Sequence, residues 1–179
     1  MVGYHASTIC AVRRSSKDIC IGSDGQITKG ETITKNNALK VGHMNGYPII
    51  YGCAGTLLDT AALVRKFGNQ LIECDGDFSR ALETLSCKLQ TDISMREQES
   101  LMIAADENRL ALLSGSGELL EPENNFVAIG SGGNYAYAAA NALYNYTNMD
   151  AEQIVRVALE IASSICVYTN ANIVIEKIT

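Results

Sequence analysis

Few residues in this chain could activate a nucleophile by the commoner routes. It has 2 histidines, His5 and His43, so a Ser-His-Asp or Cys-His mechanism would have to use one of them. Neither lies in a recognisable motif. Its 6 cysteines include no Cys-x-x-Cys pair, which leaves zinc and thioredoxin-like chemistry without support. Several sit inside apolar runs (Ile9-Cys10-Ala11, Ile19-Cys20-Ile21) and read as buried, reduced thiols of a cytosolic protein. One route needs no histidine: a Ser, Thr or Cys freed at the N-terminus by cleavage can use its own α-amine as the base. That amine has a pKa of roughly 8 and shares a residue with the hydroxyl, so the geometry comes free. Ser7 and Thr8 meet the positional requirement, since they open an apolar run after a short leader ending in the small Ala6. They read equally as ordinary residues at the head of a strand.

The elements that would position such a nucleophile come in blocks. Ser7 to Arg14 and Asp18 to Ser23 read as strands, with Arg13-Arg14-Ser15-Ser16-Lys17 as a polar turn. Both runs are apolar with little alternation, which predicts strands covered on both faces. Thr32 to Lys35 and Leu39 to Met44 are shorter candidates; Asn45-Gly46 signals a tight turn before a strand over Tyr47 to Cys53. A helix is predicted over Leu57 to Cys74, with Leu58, Ala61, Ala62, Val64, Phe67 and Leu71 near helical spacing. A second follows Asp77 as N-cap, with Phe78, Ala81, Leu82, Leu85 and Leu89 on one face. Strands return at Ser100 to Ala105, Arg109 to Ser114 and Phe126 to Ile129. Two more helices follow, the later one capped by Asp150 with Gln153 in a capping-box position and Ile154, Val157, Ala158, Ile161 and Ile165 as its apolar face. Asn172 to Ile178 is the last strand. Strands, helix pair, strands, helix pair, strand predict an α+β fold, a four-layer α-β-β-α sandwich.

Bulk properties exclude other classes. The chain has 179 residues, 47% hydrophobic and 19% charged, with 2 prolines, which suits one domain with a substantial core. The net charge of −6 and the lack of any long basic block argue against nucleic acid. Apolar runs stop well short of the about 18 residues a membrane span needs. The N-terminus lacks the basic start and apolar core of a secretory signal.

Several motifs, taken in order, resemble the HslV family of proteasome-like peptidases, which belong to the N-terminal-nucleophile hydrolases. His5-Ala6-Ser7-Thr8-Ile9-Cys10-Ala11-Val12-Arg13 is similar to that family's processing junction and first strand. Ser23-Asp24-Gly25-Gln26, Lys35 with Lys40-Val41, Glu121-Pro122-Glu123-Asn124, Ala128-Ile129-Gly130-Ser131-Gly132-Gly133 and Ile165-Cys166-Val167-Tyr168-Thr169-Asn170 follow at nearly constant spacing. Each motif alone is weak; six in order over almost the whole chain are not.

The resemblance implies a set of roles. Residues 1–6 would be a leader, removed autolytically, and 7–179 a single peptidase domain. Ser7 would be the nucleophile and Lys40 would lie beside it, lowering the pKa of the hydroxyl and holding the amine as free base. Asp24 would pair with Lys40, Gly55 would offer its N–H to the oxyanion, and Ser131 would hydrogen-bond near the α-amine. Carbonyls of Ser163, Cys166 and Thr169 would hold a structural sodium-like cation. No cofactor would serve the chemistry. The subunit would be cytoplasmic and would assemble as two stacked hexameric rings. An HslU-type AAA+ ATPase would feed it unfolded proteins, and ATP would bind only that partner, since the chain has no phosphate-binding Gly-x-x-x-x-Gly-Lys motif. Other readings are a structural ring subunit that never cleaves itself and an amidase acting on small amides.

The departures are informative. Ser7 stands where the family usually has Thr, so the β-methyl that restricts χ1 is absent. Ser7 and Lys40 lie one residue further apart than usual. The extra residue is assigned to the turn at Ser15 to Lys17, where it disturbs neither strand; Thr8 as nucleophile is the competing register. Gly55-Thr56-Leu57-Leu58-Asp59 replaces a more glycine-rich run, Gly42-His43 replaces a basic pair, and Ser163 replaces a glycine.

Overall fold

A computed structural model describes residues 4–5, 7–92 and 100–178. In chain order the elements are β1 (Tyr4–His5), β2 (Thr8–Ser15), β3 (Asp18–Ser23), β4 (Ile27–Lys29), β5 (Thr32–Lys35), β6 (Val41–His43), β7 (Ile50–Gly55), α1 (Leu57–Glu73), α2 (Phe78–Thr91), β8 (Ser100–Ala105), β9 (Leu110–Ser114), β10 (Leu119–Leu120), β11 (Phe126–Gly130), α3 (Gly133–Tyr146), α4 (Ala151–Ile165) and β12 (Val174–Lys177). The strands form a five-stranded sheet in the order β10-β9-β8-β7-β6, a four-stranded sheet β11-β2-β3-β12 and a small sheet β1-β4-β5.

The two larger sheets stack face to face. Ile9, Ala11 and Ile21 of one meet Ile50, Ile103 and Ala105 of the other in a shared core. The alternate residues point outward and are equally apolar, because a helix pair covers each outer face. Cys10 and Val12 pack under α3 and α4 with Ile154 and Leu159, while Met102 and Ala104 pack under α1 and α2 with Phe67 and Leu82. The result is the predicted α-β-β-α sandwich, and the double cover explains why β2 and β3 show no polar alternation.

Local chemistry sets the element ends. Asp77 caps α2 by accepting from Arg80 N–H, and Asp150 with Gln153 forms a full capping box on α4. The buried stripe of α2 is as read from its spacing. Those of α1 and α4 are so only in part: Phe67 and Leu71 of one and Ile154 and Ala158 of the other are buried as read. Leu58 is 84% exposed and Leu63 fully buried, because Leu57 and Leu58 lie in the first turn, beyond the sheet. On α4 the sheet takes Ala151, Val155, Leu159 and Ala162, while Ile161 and Ile165 stay exposed. The short strands β4 and β10, with too few residues to show periodicity, were not expected.

The β2–β3 hairpin has an unbroken register from Ile9↔Ser23 to Arg13↔Ile19, which shifts only between Arg13 and Ser15. That bulge sits at the closed tip. The strands run up to Ser15 and Asp18, so the expected five-residue turn is shorter, and any extra residue is absorbed next to it without flipping the strand faces upstream.

Candidate active site

The open end of the same hairpin holds the candidate site. β3 ends at Ser23, and Asp24 follows with no exposed surface. Its carboxylate is saturated with donors. Oδ1 accepts Thr8 N–H at 2.8 Å and the Lys40 ammonium at 2.7 Å, and Oδ2 accepts Gln26 N–H at 2.9 Å and Asn170 N–H at 3.4 Å. Lys40, just before β6, also donates to the Gln26 carbonyl at 2.6 Å. Burial pushes the Lys40 ammonium below the ordinary lysine range, while the charge and hydrogen bond of Asp24 push it back up. The pair therefore holds a cation in a site that by itself would neutralise it.

Ser7 and Lys40 line one cleft of about 570 Å³, together with Gly55 and apolar groups of Ile27, Leu57 and Val64. Ser7 is 4% exposed and has φ 142°, a backbone region serine rarely occupies. Its carbonyl oxygen accepts Ser131 N–H at 3.0 Å and the Ser131 hydroxyl at 3.4 Å. Ser131 thus grips Ser7 through the carbonyl. Gly130, at φ 90°, comes so close that a Cβ on it would lie 1.8 Å from the same oxygen, so only glycine fits. Gly55 ends β7 at φ 135°, and Thr56 beyond it caps α1 by accepting from Asp59 N–H.

Thr8 has another task. It is fully buried, and its hydroxyl lies 2.7 Å from that of Thr169 and accepts Gly132 N–H at 2.9 Å. That network pins the first strand to the start of α3 and the turn after α4, and leaves the Thr8 hydroxyl no route to the cleft. Cys53 also lines the cleft, but burial pushes its thiol up to about 12, so it is not a thiolate at neutral pH. His43 is engaged with Glu176 at 2.8 Å on the protein surface. Five of the cysteines are buried and Cys87 is exposed, all as free thiols.

Ser163, Cys166 and Thr169 fall at and beyond the C-terminus of α4. Ser163 is helical and not at positive φ, so the exchange of glycine for serine strains nothing. The last-turn carbonyls lack intrahelical N–H partners and sit at the negative end of the helix dipole, which suits a hard cation. The Cys166 carbonyl accepts Thr169 N–H at 3.1 Å. Among the described residues no group of three or more His, Cys, Asp or Glu side chains could hold a metal. Sequence reasoning named Thr8 only as the competing nucleophile and gave Gly130 and Asn170 no role of their own; both lie in runs that carried the family resemblance.

A stacked-sheet sandwich with a hydroxyl residue at the head of its first strand, beside a buried Lys–Asp pair, defines a class. Residues 4–178 match the proteasome subunit family, and the chain belongs to it, a family of N-terminal-nucleophile peptidases. Within that class the chain belongs to the HslV family. It is 43% identical over 175 residues to the ATP-dependent protease subunit HslV of Petrotoga mobilis, covering 98% of each chain. It is 44% identical over 176 residues to that of Caldanaerobacter subterraneus subsp. tengcongensis, covering 98% and 99%. Among solved structures it is similar to eukaryotic HslV from Trypanosoma brucei, with TM-score 0.86 and 34% identity over 94% of this chain and 97% of that one. The BPH protein of Thiobacillus denitrificans, at 18% identity and TM-score 0.70, shares the fold.

Proposed function

We propose that this chain is the peptidase subunit of an ATP-dependent, ring-forming protease, with the Ser7 hydroxyl as nucleophile and its own α-amine as base. The observation that carries this reading is that Lys40, paired with the buried Asp24, lines one cleft with Ser7. In the full chain the Ser7 nitrogen is an amide, so the amine exists only once residues 1–6 have been cut away. The strained φ of Ser7 supports that cut, because scission removes the preceding carbonyl whose crowding makes positive φ costly.

After cleavage the α-amine takes the hydroxyl proton as Oγ bonds to the substrate carbonyl carbon. The Lys40 ammonium favours both the free amine and the developing alkoxide. The oxyanion receives Gly55 N–H, a donor worth about 3–4 kcal/mol when preorganised. The C–N bond then breaks, the amine hands its proton to the leaving amine, and water, deprotonated by the same base, releases the acyl group from Oγ. Ser131 fixes the Ser7 backbone through its carbonyl while this happens. A sodium-like cation on the Ser163, Cys166 and Thr169 carbonyls would fasten the turn that holds Thr169, with no part in the chemistry.

An unguarded nucleophile would be hazardous as a free subunit in the cytosol. We therefore propose closed rings, two stacked hexamers, with an HslU-type ATPase delivering unfolded protein and binding the ATP. Tyr135, Tyr137 and Tyr146, and Leu57 and Leu58 near the cleft, are exposed and offer contact surface. Intact mass of the purified protein tests the core of the reading. Loss of Met1 to Ala6 is expected; a mature chain starting at Thr8 would exclude Ser7, and an uncut but active chain would exclude the mechanism. Light scattering should report a particle of many subunits, whose degradation of folded protein rises strongly with the ATPase and ATP.

A further inference from the structure

Asp24 and Lys40 come from different loops, and something must hold those loops in register. Asp24 lies in the β3–β4 turn, whereas Lys40 follows the β5–β6 connection. The two loops touch directly: Ala38 N–H donates to the Gly25 carbonyl at 2.9 Å, and a Cβ on Gly25 would meet the Asn36 carbonyl oxygen at 2.4 Å. A third segment straddles this junction. The Asn170 side chain accepts Gly25 N–H at 3.0 Å through Oδ1 and donates from Nδ2 to the Asn36 carbonyl at 2.9 Å. Its backbone N–H reaches Asp24 Oδ2 at 3.4 Å. Its own orientation is set by Asn172 N–H, which donates to Oδ1 at 3.1 Å, an Asx turn.

We propose that Asn170 is a positioning residue for the reaction: its amide fork clamps the Asp24 loop to the Lys40 loop and so sets the distance of the ion pair beside Ser7. The residue touches neither Lys40 nor Ser7 and acts through Asp24. This rests on the reading of Lys40 and Ser7 given above. An amide is suited to the task because one planar group supplies an acceptor to one loop and a donor to the other, with no charge to disturb the pair.

The consequence is electrostatic as well as geometric. Asp24 is the charge that opposes the desolvation of Lys40. The other titratable groups lining the cleft are Arg65, Tyr51 and Cys53, and none of them is an anion at neutral pH that could replace it. Loosening the clamp lets Asp24 drift, so Lys40 should lose its proton at lower pH.

The test uses the processed, assembled enzyme and a fluorogenic peptide amide with an apolar residue before the scissile bond. Asn170→Ala should lower kcat about tenfold to a hundredfold, the scale of a misplaced catalytic group, with KM little changed. The alkaline limb of kcat should move down by about one pH unit, at the low end of the effect of a neighbouring charge. Asn170→Ser, whose hydroxyl keeps the local turn more weakly, should move the limb in the same direction by less. Asn172→Ala, which also donates to the Asn36 carbonyl but does not touch Gly25, should leave the limb in place. An unmoved limb in either Asn170 variant overturns the proposal, as does an equal shift in Asn172→Ala. If neither Asn170 variant assembles, the residue holds the fold rather than the ion pair, and the proposal also fails. Lys40→Ala separates the two readings. Full activity there would remove the basis for the ion pair itself, whereas an inactive Lys40→Ala with unshifted Asn170 variants would remove only the clamp.

Discussion

The two ends of the β2–β3 hairpin obey opposite rules. At the closed tip the register slips between Arg13 and Ser15, and the turn residues are exposed. Arg14 there donates to the Thr147 carbonyl at 2.9 Å and lies over the face of the Tyr144 ring. At the open end Thr8, Ser23 and Asp24 have no exposed surface, a glycine lies against the Ser7 carbonyl, and one carboxylate gathers four donors. Variation in length or sequence at the tip changes solvated chain. The same variation at the open end changes the site.

The most severe way to break the open end is Ser7→Ala, which should abolish peptide hydrolysis while the fold and the rings persist, and should leave Met1 to Ala6 attached in the mass spectrum. Ser7→Thr should keep or raise activity. Wild-type turnover of Ser7→Ala would place the nucleophile elsewhere.

Lys40→Ala comes next, with at least about a hundredfold loss expected of an acid–base participant, measured on correctly processed protein. Its pH dependence sharpens the point. Burial lowers the Lys40 pKa below its ordinary 10.5, so the unfolded chain binds this proton more tightly. Across the window between the lowered value and 10.5, this group adds stability as pH rises. Alkaline loss of activity through Lys40 should therefore precede loss of structure, seen as a fall in kcat while near-ultraviolet circular dichroism is unchanged.

Stability on the alkaline side should fail later and for another reason. Burial pushes Cys10 and Cys53 from 9.0 up to about 12, so the unfolded chain loses these protons first. Stability should then fall as pH rises from 9 towards 12, and Cys10→Ala should flatten that slope in denaturant titrations.

Thr8→Val probes the buried neighbour of Ser7. It strands the Gly132 N–H and the Thr169 hydroxyl in the interior, at a cost of about 1–3 kcal/mol for an unsatisfied buried group, and Thr8→Ser should recover most of it. The smallest effect belongs to the tip. A glycine inserted between Ser16 and Lys17 should change stability by no more than about 0.5 kcal/mol and leave turnover within about twofold, whereas the same insertion after Ile21 should abolish folding, since it moves each later side chain of β3 to the other face.

Much of this molecule was legible in its residues alone. The unbroken apolar character of Ile9 to Val12 and Ile19 to Ile21 requires two covered faces. Asp77 and the Asp150–Gln153 pair stop their helices by chemistry that acts within a few residues, and a hydroxyl pair after a short leader limits the nucleophile to Ser7 or Thr8. What local pattern could not decide was anything set by the approach of distant segments. The rotation of α1 and α4 is set by the sheet each packs on, which takes Leu63 and Phe67 of one helix and Val155 and Leu159 of the other, so Leu58 and Ile161 face solvent despite their size. The different surroundings of the two hydroxyl residues depend on Gly132 and Thr169, more than a hundred residues away, which engage the Thr8 hydroxyl inside the fold. Gly130 shows its purpose only when the Ser7 carbonyl is placed against it, and the Asp24–Lys40 pair forms where two loops meet beside a third segment. Residue type and spacing carry short-range preferences; a site assembled from six stretches of chain is determined by packing, where a difference of one ångström decides whether a group is bonded, excluded or free.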